Sequence, residues 1–327
     1  MLHVGEESFQ MSTLLERTKS VQELKKRAAG KTSANPAEVA KAKKVLRRLY
    51  SWDEIPEWQR DNDFILHGYV KETSSFIETF KSLFYLHNES VNIYSHLIPA
   101  LGFFTVLLLD KSTIKVFATT TWLDHMVIDL FYSGAFACLI LSSSFHCLKS
   151  HSLRIATLGN KLDYLGICIL IVTSMVSILY YGYFEKFSLF CLFALITVSF
   201  GIACSIVSLK DKFRKREWRP YRAGLFVCFG LSSIIPIFSG LYCYSFSEIW
   251  TQIQLFWVLL GGVLYIIGAV LYGMRFPEKI CPGKFDIWGH SHQLFHFLVV
   301  IAALCHLRGL LNSYELVHIK MENGIVS

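Results

Sequence analysis

The sequence predicts an all-α membrane protein, built as a bundle of seven transmembrane helices. Its composition is the first indication: 53% of the 327 residues are hydrophobic and only 17% are charged, whereas a soluble domain carries about 25% charge. The apolar residues between Ile93 and Leu311 also form runs that cross about 30 Å of hydrocarbon as helices of roughly 20 residues. Residues 1–60 are polar, and we expect no cleavable signal peptide there.

Seven apolar runs set the expected transmembrane helices. Their expected bounds are Ile93–Leu109, Val127–Leu148, Leu162–Phe184, Phe187–Leu209, Ala223–Tyr244, Leu255–Met274 and His290–Leu311. Pro99 and Pro236 predict kinks in the first and fifth helices, because proline cannot donate the helical hydrogen bond. Gly261, Gly262 and Gly268 favour close packing of the sixth helix.

The polar N-terminal region contains two candidate amphipathic helices. Asn35, Pro36 and Glu38 form a typical helix start, with Asn as N-cap, Pro at N1 and Glu at N3. The residues that follow separate an apolar stripe from a basic face. Such a helix either lies on an anionic membrane surface or packs on the domain as a solvated surface helix. A second apolar stripe, from Phe76 to Phe84, predicts an interfacial helix just before the first span.

The distribution of basic residues predicts the orientation of the bundle. If the N-terminus is cytoplasmic, the inner loops hold 13 lysines and arginines and the outer loops hold three. The positive-inside rule therefore favours a cytoplasmic N-terminus and an outside C-terminus. On this basis the chain divides into a cytoplasmic region, 1–90, a seven-helix membrane domain, 91–312, and a short extracytoplasmic tail, 313–327.

Polar residues gather at the predicted cytoplasmic ends of three helices. His292 and His296 are four residues apart, so their imidazoles lie on one helix face about 6 Å apart at Cβ. Histidine is costly in a lipid-facing segment and is usually functional there. His146 ends the second helix and Asp163 begins the third, and the short loop between them allows the two to face each other. Ser142 lies four residues before His146, on the same face. A closed bundle allows contact with the seventh helix, although nothing in the sequence requires it.

Three neutral imidazoles with one open position are the ligand set of a catalytic zinc site. His146, His292 and His296 are therefore the candidate zinc ligands. Asp163 either hydrogen-bonds the metal-bound water, as orienter or general base, or fixes an imidazole tautomer from outside the ligand shell. Ser142 is a candidate hydrogen-bond partner of a ligand or substrate. The alternative is that these histidines only hydrogen-bond between helices.

Two further histidines are given structural interpretations. We expect His290 to stay solvated at the membrane boundary. His306 lies ten residues after His296, about 80° away from its face, and we expect it to pack or to lie at an interface.

Four motifs in order resemble the progestin and adipoQ receptor family. They are residues 89–96 (ESVNIYSH), Ser142-x3-His146, residues 163–167 (DYLGI) and residues 291–296 (SHQLFH). The resemblance covers about residues 50 to 312. Residues 52–58 (WDEIPEW) and the short N-terminus are most similar to the fungal branch of adiponectin-receptor-like proteins implicated in zinc homeostasis, above all to the osmotin-receptor-like member of yeast.

The resemblance implies a seven-helix membrane receptor with Zn²⁺ held by His146, His292 and His296 and a water near Asp163. It implies a role in fatty-acid, sterol or sphingolipid metabolism and in zinc and phosphate homeostasis. Ceramide is the implied lipid, an osmotin-like or adiponectin-like extracellular protein is the implied ligand, and we expect no nucleic-acid partner. The implied location is the plasma membrane or an endomembrane such as the endoplasmic reticulum.

Three functions remain open from the sequence. The first is a receptor whose bundle carries zinc-dependent hydrolysis of a ceramide-like amide. The second is a receptor in which zinc is purely structural and clamps helices together. The third is a zinc transporter, which the ligand cluster at one face and the lack of an internal repeat disfavour.

Overall fold

The computed structural model describes residues 48–109 and 114–325, and within those ranges it contains helices and one isolated antiparallel bridge, between Tyr50 and Tyr69. Seven helices are long and apolar enough to cross a membrane, which confirms the predicted fold class. Their bounds are Ser90–Leu108, Trp122–Leu148, Leu153–Gly182, Phe187–Ser208, Arg219–Leu231 with Ile234–Cys243, Leu255–Met274 and Ser291–Glu322. We call them the first to seventh spans. The helix expected after Asn35 lies outside the described residues, and the cytoplasmic N-terminus remains a prediction.

The seventh span contacts the first, second, third and sixth spans. The second span packs between the first and third. Glycine allows that last contact to be close: a Cβ atom at Gly134 would lie 1.9 Å from the Thr173 hydroxyl oxygen, and one at Gly166 would lie 3.0 Å from the Cys138 Cα. The first, second and seventh spans are thereby brought together at the end where the candidate ligands lie.

The fifth span is interrupted where its proline predicts. The first half of the span ends at Leu231, and the second half begins at Ile234. Pro236 has no N–H to offer the carbonyl of Ser232, four residues earlier, and its ring crowds that carbonyl. The interruption lies beside a large cavity, described below.

The seventh span is longer than expected, because the helix continues to Glu322. Most of the segment 313–327 is therefore helical. At this far end the buried His318 imidazole lies 3.2 Å from the Asp124 carboxylate, and the Tyr314 hydroxyl donates to the Lys115 carbonyl at 2.7 Å. These polar contacts fasten the seventh span to the segment before the second and to the second span itself.

Two further features lie at the opposite end of the bundle: a short helix that precedes the first span, and the buried carboxylate of Glu278. The helix Phe76–Lys81 and the turn Ser82–Phe84 leave their aromatic side chains exposed, Phe84 by 85%, as expected of an interfacial helix. Glu278, which is fully buried, accepts hydrogen bonds from the Asn62 amide at 3.1 Å and from the Ser291 backbone N–H at 2.7 Å. This carboxylate thus holds the N-terminus of the seventh span, one residue before His292.

Candidate metal centre

The three predicted ligands come together at one end of the bundle. His146 comes from the last turn of the second span, and His292 and His296 come from the first two turns of the seventh. One nitrogen from each ring can be chosen so that all three lie within 4.8 Å of one another. His146 and His296 are each only 1% exposed.

The rings form a nearly equilateral triangle. Their centroids are 4.8 Å (His146–His292), 4.9 Å (His146–His296) and 4.8 Å (His292–His296) apart, with interplanar angles of 75°, 74° and 89°. Three imidazoles that bind one tetrahedral zinc ion at about 2.0–2.1 Å place their centroids about 5 Å apart. The three imidazoles could therefore hold a single metal ion.

His146 is oriented by a carboxylate that the sequence argument did not use. Its Nδ1 lies 2.7 Å from Glu89 Oε2, and Glu89 Oε1 accepts a second 2.7 Å bond from the Lys149 ammonium group. Among the described atoms, Nε2 of His146 has no hydrogen-bond partner although it is buried. Metal-ligating histidines commonly bind a carboxylate in this way through the nitrogen that does not bind the metal.

His296 is oriented by the first span. Its Nδ1 lies 3.1 Å from the Asn92 carbonyl oxygen and 3.1 Å from the Ser95 hydroxyl. Because a carbonyl only accepts, the bond to Asn92 requires the proton on Nδ1, which leaves Nε2 as the ligand atom. His292 instead packs edge-on against the Tyr272 ring, 5.0 Å between centroids.

Asp163 and Ser142 lie in the wall of a cavity that His292 and His296 also line. Asp163 is 8% exposed and Ser142 is 2% exposed, and the two side chains are hydrogen-bonded to each other. Within the described parts of the chain, Asp163 does not belong to the compact group of donor atoms. This position suits a group that contacts a water or substrate beside the metal rather than a fourth protein ligand.

His96 is a fourth imidazole that the residue-by-residue argument missed. Its ring stacks on that of His296, with centroids 3.6 Å apart and planes 6° from parallel. It is 3% exposed. A helical spacing was available as a signal: Glu89, Asn92 and His96 are three and four residues apart and share one face of the first span.

The expectations for the other two histidines had different outcomes. His290 was expected to be solvated, and this is wrong: it is only 5% exposed, and burial lowers its pKa to about 4. Its burial follows from the packing of the segment around Asn88 on the start of the seventh span. His306 packs against Phe131, 5.0 Å between ring centroids, as expected.

A cavity of about 450 Å³ extends from the triad into the apolar part of the bundle. Its wall includes Ile234, from the second half of the fifth span, and Leu259 and Val263, from the sixth, which are 42–51% exposed. The apolar part of the cavity wall is therefore formed in part by the fifth and sixth spans. A volume of this size is typical of sites for drug-sized or lipid ligands.

Fold and site together define an integral, multi-pass membrane protein with a buried histidine triad beside a largely apolar cavity. Residues 84–307, more than half of the chain, match the family described as haemolysin-III related. The chain belongs to this family.

Three known proteins are similar to this chain over most of its length. The chain is 46% identical over 274 residues to the ADIPOR-like receptor IZH1 of Eremothecium gossypii, covering 83% of this chain and 86% of the relative. It is 40% identical over 292 residues to the adiponectin receptor protein of Drosophila melanogaster, covering 86% and 64%. It is 37% identical over 274 residues to the progestin and adipoQ receptor-like protein 1 of Caenorhabditis elegans, covering 83% and 62%. The chain thus spans slightly less than two thirds of the fly and nematode proteins. The predicted membership of the progestin and adipoQ receptor family is confirmed.

Proposed function

We propose that this adiponectin-receptor-like protein hydrolyses the amide bond of a ceramide-type lipid at a zinc site held by His146, His292 and His296. The observation that carries the proposal is the position of the triad, because two of its members, His292 and His296, line a cavity of about 450 Å³ whose wall is largely apolar. A zinc ion bound by three imidazoles lowers the pKa of a bound water to about 7 and polarises a carbonyl oxygen.

Other residues of this chain supply the general base, its orientation and an entry route for the lipid. The Asp163 carboxylate faces the cavity beside the triad and accepts a proton from the attacking water. It then returns that proton to the leaving nitrogen, so that amide and water give a carboxylic acid and an amine. Ser142 hydrogen-bonds Asp163 and fixes its orientation. The lipid enters between the fifth and sixth spans, where its chains remain in apolar surroundings.

The proposed function includes an orientation in the membrane and a location in the cell. The basic inner loops favour a cytoplasmic N-terminus, so the triad lies near the cytoplasmic face. Relatives named as an ADIPOR-like receptor and an adiponectin receptor support a role as a receptor. We propose that this receptor regulates lipid metabolism and zinc homeostasis. An osmotin-like or adiponectin-like protein would bind its outer face, at the plasma membrane or an endomembrane.

The decisive experiment compares ceramide turnover by purified wild type and His146→Ala, with zinc content measured in the same samples. We expect one zinc per chain and turnover in the wild type, and neither in the variant. A matched control, His67→Ala, changes an exposed histidine that neither lines the cavity nor belongs to the triad and should behave as the wild type. Equal turnover by wild type and His146→Ala would exclude the enzymatic function.

A structural zinc is the second candidate. It is favoured by the contacts of Glu89 and Asn92 with the ligating imidazoles, because a metal would then link the first, second and seventh spans. In that case metal removal lowers stability, and no ceramide turnover accompanies the metal-loaded protein.

A further inference from the structure

Cationic side chains line one part of the cavity, at the same end of the bundle as the triad. They belong to Arg60, Lys149, Arg216 and Arg222, and the Asp61 carboxylate lines the same cavity. The Arg216 side chain is 45% exposed, so this part of the cavity wall includes a solvent-accessible cation. We call it the basic mouth.

Only some of these cations are matched by carboxylates. Lys149 is paired with Glu89 at 2.7 Å, and Arg216 is paired with Asp63. Arg60 donates to the carbonyl oxygens of Ile55 and Asp53 at 3.2 and 3.1 Å. Carbonyl oxygens carry no net charge, and among the described residues no carboxylate forms an ion pair with Arg60.

Arg222 and its neighbour Arg219 likewise contact uncharged groups, namely carbonyl oxygens and an aromatic ring. Arg222 donates to the carbonyl oxygens of Phe213 and Lys215. Arg219 lies over the Tyr272 ring, with its guanidinium carbon 3.9 Å from the centroid. Burial raises the pKa of the Asp61 carboxyl, but Arg219, Lys149 and Arg275 together hold it below its ordinary value. One ionised carboxylate is thus set among several cations.

The buried guanidinium groups also retain unused donors. Arg219 and Arg222 are each 3% exposed. Among the described atoms, Nε and Nη1 of Arg219 and Nε of Arg222 have no hydrogen-bond partner. Buried donors on a charged group are costly to leave unpaired, and a guanidinium matches the oxygens of a carboxylate or phosphate. Arg222 therefore brings an unused donor to the basic mouth, and Arg219, which does not line the cavity, adds positive charge beside the lining residue Tyr272.

We propose that the basic mouth binds the phosphate monoester headgroup of a lipid whose acyl chain lies in the cavity. A phosphate monoester carries a charge of about −1.5 to −2 and three strong acceptor oxygens, which matches several uncompensated cations better than a singly charged carboxylate does. The lipid character follows from the cavity itself, because apolar residues such as Phe145 and Ile167 continue directly from the mouth. The site needs no metal, so it is independent of the proposed hydrolysis.

The test uses the purified full-length protein and radiolabelled oleoyl lysophosphatidate, with unlabelled monooleoylglycerol as a chain-matched neutral competitor. We expect lysophosphatidate to compete at least tenfold better than the neutral lipid. Arg222→Gln and Arg60→Gln should each weaken lysophosphatidate binding at least tenfold. Lys212→Gln, which removes an exposed positive charge that does not line the cavity, should leave it unchanged. Equal competition by the neutral lipid, or unchanged binding in both arginine variants, would overturn the proposal.

Three further measurements test separately whether binding depends on the phosphate group, on the acyl chain and on the proposed zinc site. Oleate that competes as well as lysophosphatidate would overturn the phosphate assignment, and inorganic phosphate that competes as well would overturn the lipid assignment. His146→Ala, which abolishes the proposed zinc site, should keep the full preference, so that failure of one proposal leaves the other intact. If Arg222→Gln does not fold, Arg60→Gln and Arg216→Gln, which change more exposed side chains, decide the question.

Discussion

The His146 Nδ1 nitrogen donates a 2.7 Å hydrogen bond to the Glu89 carboxylate, and this contact ties the first span to the candidate metal centre. Burial raises the pKa of Glu89, but Lys149 and His146 hold it well below its usual range. The carboxylate is therefore ionised at neutral pH and only accepts. The proton must lie on Nδ1, which leaves Nε2 of His146 to bind a metal.

Glu89→Gln is expected to lower zinc affinity by about 10- to 100-fold, as loss of such outer carboxylates typically does. The amide is nearly isosteric but neutral, so it no longer favours the required tautomer. Competition of the purified protein against a chromophoric zinc chelator measures the effect. Glu78→Gln is the matched control, because it removes an acid of the interfacial helix that pairs with Lys81 instead. An unchanged affinity in Glu89→Gln would remove the positioning role.

Metal removal should destabilise the wild type. A ligand present at about 1,000 times its dissociation constant stabilises the folded state by about 4 kcal/mol, so chelation should lower the unfolding temperature clearly. His292→Ala should show no shift on chelation, whereas His67→Ala, an exposed histidine, should shift as the wild type does. A wild type that is indifferent to chelation would contradict a bound structural or catalytic metal.

The fold and the pairing of His292 with His296 in the histidine cluster were predictable because they depend on local properties of the sequence. Apolar run length determines a spanning helix, and the spacing of His292 and His296 determines a shared face. The roles of Glu89 and His96 depend instead on which helices become neighbours in the bundle. Nothing local shows that the first span packs on the seventh, and the prediction that His290 is solvated failed for the same reason.

Asp163→Asn separates chemistry from metal binding. The amide can keep the hydrogen bond with Ser142 but cannot accept the proton of a water. We expect zinc content to stay unchanged and ceramide turnover to fall by about 10²- to 10⁴-fold, the usual contribution of general acid–base catalysis. Single-turnover assays and metal analysis on the same sample measure both. Undiminished turnover would show that Asp163 is not the base.

Acid should destabilise the protein partly through His87. Burial lowers the pKa of His87 to about 4, and its Nδ1 accepts the Glu89 N–H at 3.2 Å, which requires a neutral ring. The unfolded chain titrates near 6.5. Between pH 6.5 and about 4 the unfolded state therefore binds a proton that the folded state does not, so stability falls as the pH falls through this window.

The contribution of His87 to this loss is at most about 3 kcal/mol, at 1.36 kcal/mol per pKa unit. His87→Asn keeps an acceptor for the Glu89 N–H but does not titrate, so it should lose less stability between pH 7 and pH 4.5. Unfolding in detergent at both pH values measures the difference. His67→Asn, at an exposed site, should keep the wild-type dependence. Identical pH profiles for wild type and His87→Asn would assign the acid sensitivity to other groups.

Gly134→Ala tests the close contact of the second and third spans. The added Cβ would lie 1.9 Å from the Thr173 hydroxyl oxygen and 2.7 Å from its Cβ, and that hydroxyl is held by the Ile169 carbonyl at 3.0 Å. Overpacking of this kind typically costs about 1–3 kcal/mol. Gly102→Ala, at a position of the first span where a Cβ meets nothing within 4 Å, should be neutral or slightly stabilising, because alanine favours a helix.

The same contact predicts a specific rescue. Thr173→Ala removes the hydroxyl oxygen and the methyl group that clash, so the double variant Gly134→Ala/Thr173→Ala should recover part of the stability lost in Gly134→Ala. The double-mutant cycle should therefore give a favourable coupling of about 0.5–3 kcal/mol. Additive effects would show that the spans adjust elsewhere. Because His146 ends the second span, a displaced second span should also weaken zinc binding, which the chelator titration measures independently.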